Sequence, residues 1–109
     1  MSNIDKALDS FLENLKNQNY YEAHEDLEAI WFPRRFEDCD EVRVLKGFIN
    51  ASVSFELHKK GRFEQSKKVW LNYLKYKQLL QNINGIHKEK LINSSIFIDN
   101  LNKNIIKSI

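Results

Sequence analysis

GFINASVSFELHKKGRF, residues 47–63, decides the fold of this chain. Its first twelve residues are apolar apart from Asn50, Ser52, Ser54, Glu56 and His58, and Asn50, Ser54 and His58 recur at four-residue spacing as a polar stripe. That is the pattern of a helix turned largely inward. Gly61 then supplies the left-handed conformation that ends helices, and a new helix starts directly after it. A buried helix that folds back through a glycine turn is the core of a helical bundle.

The flanking sequence extends this pattern in both directions. The inward helix begins after FPRRFEDC, with Asp38 or Asp40 as its cap, and reaches Lys60. The helix after Gly61 spans about Arg62 to Leu80 and is expected to bury Phe63, Val69, Trp70, Tyr73 and Leu74. NING, 82–85, is a turn, and a last helix from about His87 to Ile106 turns Leu91, Ser94, Ile98, Leu101 and Ile105 inward. Upstream, Ile4, Ala7, Leu8, Phe11, Leu12 and Leu15 recur at three and four, capped by Ser2 or Asn3 and ended by Asn17, Gln18 and Asn19. YYEAHEDLEAIW, 20–31, forms the second helix with Tyr20, Ala23, Leu27, Ile30 and Trp31 as its apolar stripe, and Pro33 stops it.

Composition agrees: 109 residues fit one domain, 1–109, and three glycines and one proline with 42% hydrophobic residues suit an ordered all-α chain. The fold class expected is a compact bundle of about five helices built from antiparallel helical hairpins. Tyr21-Glu22-Ala23-His24 and Leu27 echo Phe63-Glu64-Gln65-Ser66 and Val69 at an offset of 42, a spacing that suits hairpins paired as in tetratricopeptide repeats.

Several function classes fall away. The glycines stand apart at 47, 61 and 85, so no phosphate loop exists. No segment holds the roughly 18 to 20 apolar residues that span a bilayer, and the first residues alternate charge with apolarity unlike a secretory signal. A single Cys39 requires no oxidising compartment, which makes the expected location cytoplasmic. Asp38 and Asp40 flank that cysteine and suppress its thiolate, so it is no nucleophile. Residues 1–56 carry 12 acidic and 6 basic side chains, whereas residues 57–109 carry 3 and 11. The lysines are spread along helices without a stacking platform, so this asymmetry is not a nucleic-acid signature. Trp70, Tyr73 and Tyr76 read as core or as a contact between copies, and Ser54 before His58 reads as packing.

The candidate chemistry lies in the second and third helices. His24 and Glu28, four apart, share a face that Trp31 continues, and such a pair can converge on a divalent metal such as zinc. Glu25 is the candidate base of a hydrolytic step. Folding the two helices into a hairpin near residue 36 sets Gly47 and Asn50 beside His24 and Arg43 beside Glu28, with His58 well beyond. Gly47 in mid-helix, at about 1 kcal/mol against alanine, signals the close approach of a backbone or a bulky side chain. The alternative to a metal centre is a hydrogen-bonded network of His24, Glu28, Trp31, Asn50 and Arg43 inside a non-enzymatic interaction module.

His24, Glu28 and Trp31, followed by LKGFINASVSFELHKKGRF, resemble the two sequence blocks of the bacterial and archaeal family called domain of unknown function 309. The similarity runs over about residues 20–75. It implies a small helical protein, described as a metal-binder or predicted metal-dependent hydrolase, with His24 and Glu28 as ligands and no settled substrate.

Overall fold

A computed structural model describes residues 3–107. Five α-helices follow one another: α1 (Asn3–Lys16), α2 (Tyr20–Trp31), α3 (Asp40–Lys59), α4 (Phe63–Lys77) and α5 (Lys88–Lys107), with short 3-10 turns at Phe32–Arg34 and Gln78–Asn82. The α1–α2 and α3–α4 hairpins stand side by side through α2 and α3, and α5 packs across α1 and α3. The all-α bundle expected from the sequence is the fold observed.

One apolar core runs through all five helices. Leu8, Phe11 and Leu15 from α1, Ala23 and Leu27 from α2, Leu45, Phe48 and Phe55 from α3, Tyr73 from α4, and Leu91 and Ile98 from α5 are essentially inaccessible. Each such leucine or phenylalanine contributes about 1.5–3 kcal/mol relative to exposure. Phe48 is the hub, its ring 6.2 Å from Phe11 and 6.2 Å from Tyr73, so one side chain joins both hairpins.

The two hairpin turns are the same object. Gln18 (φ 62) and Gly61 (φ 79) are the left-handed residues. In the first turn Gln18 N–H donates to Leu15 O at 3.1 Å and Asn19 N–H to Asn14 O at 2.8 Å; in the second, Gly61 N–H donates to His58 O at 2.9 Å and Arg62 N–H to Leu57 O at 2.9 Å. This double bond set satisfies the last carbonyls of a helix. The residues that start the next helix also agree, Asn19 at φ −90, ψ 67 and Arg62 at φ −94, ψ 67. These matches fall at an offset of 43, which corrects the 42 read from the sequence. The correct alignment pairs Tyr20 with Phe63, and buried Ala23 with buried Ser66.

α3 and α4 approach closely because small residues line their contact. Ser54 Oγ donates to Ser66 O at 2.8 Å and Ser66 Oγ to Ser54 O at 2.8 Å, a reciprocal buried clasp. A Cβ built on Gly47 would lie 2.8 Å from Tyr76 Cβ, so the bulky neighbour that the glycine signalled is a tyrosine of α4. The His58 ring lies 4.8 Å from that of Phe63. The stripe of α3 that begins at Gly47 and passes through Ser54 to His58 is therefore the α4 contact.

Other expectations need correction. Cys39, not Asp38 or Asp40, occupies the start of α3 and makes no side-chain cap, because both aspartates are drawn to Arg43. α4 ends at Lys77 instead of Leu80, and its tighter continuation packs Leu79 and Leu80 against the core. Phe63 and Leu74 are exposed and Trp70 is half-buried, since Ser66 and Tyr73 set the inward face of α4. Of the two caps expected for α1, Ser2 lies outside the described residues and Asn3 is already helical.

Tyr73 closes the bundle onto α5. Its hydroxyl lies 2.6 Å from Ser95 Oγ and donates to Asp99 Oδ1 at 2.8 Å, while Lys77 Nζ donates to Asp99 Oδ2 at 2.6 Å. Burial, and to a lesser degree the Asp99 carboxylate, push the Tyr73 phenol far above its ordinary value.

Candidate functional site

α2 carries hollows on two of its sides. The first is a shallow space of about 440 Å³ lined by Tyr21, His24, Glu25, Glu28, Phe32 and Pro33 among others. Here His24 Nε2 and Glu28 Oε2 stand 2.6 Å apart, with side chains 24% and 41% exposed. The pair follows from i,i+4 spacing on a helix. His24 occupies the rim: its Nδ1 is shut off from solvent without a hydrogen-bond partner among the described residues, while its other nitrogen meets Glu28. The Tyr21 ring lies 5.8 Å from the imidazole. Glu25 borders the same hollow but has no ion-pair partner among the described residues.

The second hollow, about 450 Å³, lies where the end of α2, the 32–39 connection, α3 and the end of α4 meet. Trp31, Phe36 and Tyr76 supply aromatic wall, and Arg35, Arg43 and Lys46 supply cations. Lys46 Nζ sits 4.2 Å above the Trp31 ring, and the Arg35 guanidinium lies 3.6 Å above Phe32 and 4.5 Å above Phe36. Such contacts hold a cation in place without neutralising it. The acids here are already engaged, Glu37 by Arg34 and Asp38 by Arg43. Among the described residues Arg35 and Lys46 have no carboxylate partner, so the hollow carries surplus positive charge.

The expected grouping of site residues is thus divided. His24, Glu28 and Glu25 share the first hollow, whereas Trp31 and Arg43 line the second. Arg43 is taken by Asp38 and Asp40 in place of Glu28, and those hydrogen bonds hold its pKa above the ordinary arginine value. Gly47 receives Tyr76 where His24 was expected. Asn50 Nδ2 donates to Lys46 O at 2.8 Å within its own helix. His58 lies in a separate hollow of about 190 Å³ with Tyr20, Phe55 and Lys59. Lys46 is not singled out from the sequence, and Tyr76 reads there as core or as a contact between copies, not as part of a site. Gly47 was their sequence signal, since a helical glycine beside Lys46 announced the bulky residue that completes the wall.

Nowhere among the described residues do three or more His, Cys, Asp or Glu side chains gather as a metal site. His24 and Glu28 with Glu25 nearby do not amount to the three converging protein ligands of a catalytic zinc centre.

Two like-built hairpins around a shared core, with a histidine–glutamate pair on the first and a glycine contact in the second, define an all-α helical-hairpin protein. The chain belongs to the family described as Domain of unknown function (DUF309), whose model matches residues 8–69, more than half of its length. The match begins within α1, earlier than residue 20, and ends in α4 before Tyr73. No curated protein and no solved structure was found to match the chain. No helix among the described residues is long and apolar enough to cross a membrane.

Proposed function

We propose that this chain is a non-enzymatic recognition module that binds an acidic, part-aromatic segment of polypeptide in the hollow bounded by Trp31, Lys46 and Tyr76. The observation that carries this reading is the Lys46 ammonium, held 4.2 Å above the Trp31 ring with no carboxylate partner among the described residues. An aromatic wall offers a face for a ring, and fixed uncompensated cations attract carboxylates and speed their arrival. The volume falls within the range of about 300–1,000 Å³ typical of ligand sites. The unpaired Cys39 fits a reducing, cytoplasmic setting.

A peptide of glutamates around one phenylalanine tests the reading through tryptophan fluorescence. Titration is expected to give a saturable change that weakens with salt, and Lys46→Glu removes it. Binding that ignores Lys46→Glu, or no saturation up to about 1 mM, defeats the proposal. Trp31→Phe, which leaves Trp70 as the only indole, separates the local signal from a distant one.

A second reading places a divalent ion on His24 and Glu28, supported by the 2.6 Å approach of imidazole and carboxylate on an accessible face. The donor set stops short of a catalytic centre, so no hydrolytic step is assigned to Glu25. Equilibrium dialysis against zinc decides it: stoichiometric uptake lost in His24→Ala sustains the reading, and equal uptake by both proteins removes it.

A further inference from the structure

The outward faces of α2 and α4 complement each other, although they lie in the same chain. On α2 and the residue that directly follows it, Tyr21 is 59% and Phe32 51% exposed, and Glu22 and Glu25 between them have no counter-ion among the described residues. On α4, Leu71 is 63% exposed, and Lys68 and Lys75 beside it have no carboxylate partner among the described residues. Helical spacing puts each set on one stripe opposite the core-facing residues. One stripe is apolar and acidic, the other apolar and basic. They cannot meet within one molecule, because each is the side of its helix turned away from the core, and both helices pack on α3.

We propose that the occupant of each face is a second copy of this chain, with α2 of one copy laid against α4 of the next in a head-to-tail contact. Ala29, the small residue of the α2 stripe, fixes the register: an antiparallel arrangement seats Leu71 over Ala29 and brings Lys75 to Glu25. The pairing has the same sense as the division of charge along the chain, 12 acidic and 6 basic side chains in residues 1–56 against 3 and 11 in residues 57–109. A contact between two different faces repeats from copy to copy and yields rings or open chains, not a closed twofold dimer. Two single-helix faces make a small interface, so assembly depends on concentration, and its ion pairs make it weaken with salt.

Sedimentation velocity between about 10 µM and 1 mM at low and high salt tests this, with circular dichroism confirming that each exposed-residue variant folds. Wild type is expected to form species beyond the dimer at low salt and to dissociate at high salt. Glu25→Lys alone and Lys75→Glu alone each weaken assembly tenfold or more, whereas an equal mixture of the two proteins, or both changes in one chain, restores it. A wild type that stays monomeric throughout overturns the proposal, as does assembly indifferent to both reversals. A monomer that instead binds vesicles of equal phosphatidylserine and phosphatidylcholine through Lys75 overturns it too, by giving α4 a different occupant.

Discussion

The two hairpins share the hydrogen bonds of their turns and, to within a few degrees, the backbone angles of the residue that starts the next helix, yet are held together differently. Between α1 and α2 the polar links lie at the surface, with Ser10 Oγ donating to Asp26 Oδ2 at 2.9 Å and Asn14 Nδ2 to the same oxygen at 2.7 Å. Between α3 and α4 they are buried, in the reciprocal Ser54–Ser66 clasp. The first hairpin forces a glutamine into the left-handed conformation, and the second uses glycine. The backbone solution therefore recurs while the side chains that secure it diverge, because a helix end must satisfy its carbonyls whatever sequence surrounds it.

The comparison is most severely broken where the hairpins meet. Phe48→Ala removes the ring shared by Phe11 and Tyr73 and is expected to destabilise the protein by about 3–5 kcal/mol in denaturant titration. A loss near 1 kcal/mol would show that the hairpins stand independently. Next is Gly47→Ala. Helix propensity favours alanine by about 1 kcal/mol, but the added methyl would meet Tyr76 at its rigid Cβ, and overpacking costs about 1–3 kcal/mol. Net destabilisation is expected; a gain in stability would mean that α4 yields freely.

Ser54→Ala strands buried partners and should lower stability by about 1–3 kcal/mol, whereas Ser10→Ala, at the exposed link, should change it by less than about 0.5 kcal/mol. Equal effects would erase the contrast between clasp and surface link. At the turns, Gly61→Gln is expected to lose about 1–2 kcal/mol and Gln18→Gly to gain a fraction of that, because only the glutamine now bears the left-handed strain. Thermal melts of both variants check the signs, and a stabilising Gly61→Gln would refute the account.

The smallest effect is confined to alkaline pH. Tyr73, ordinarily near 10, is raised in the folded state chiefly by burial. The unfolded chain ionises first, so this contribution to stability is complete below about pH 10 and falls as pH rises beyond it. Stability followed from pH 8 to 11 should decline less steeply in Tyr73→Phe, and parallel curves would exclude Tyr73 as the group responsible.

Helix positions were legible because the apolar period and the breakers agreed: Asn17 to Asn19, Pro33 and Gly61 stand where helices stop. Gly47 also announced its close contact correctly. The side from which that contact comes was not legible, since a simple hairpin folded near residue 36 ignores the 3-10 turn at Phe32–Arg34 and the extended Cys39. Periodicity fixes which residues share a face of α3, but whether Gly47 meets α2 or α4 depends on how three helices pack. For the same reason His24 and Glu28 could be paired from spacing, whereas Lys46 over Trp31 joins two helices across a connection.

Tyr73, Leu91 and Ile98 supply the core from beyond the span that the family model matches. A fragment cut to residues 8–69 would lack the lid of its own interior. Anyone trimming this protein to its recognisable portion should therefore meet inclusion bodies or a loose, dye-binding globule, while the intact chain stays well behaved.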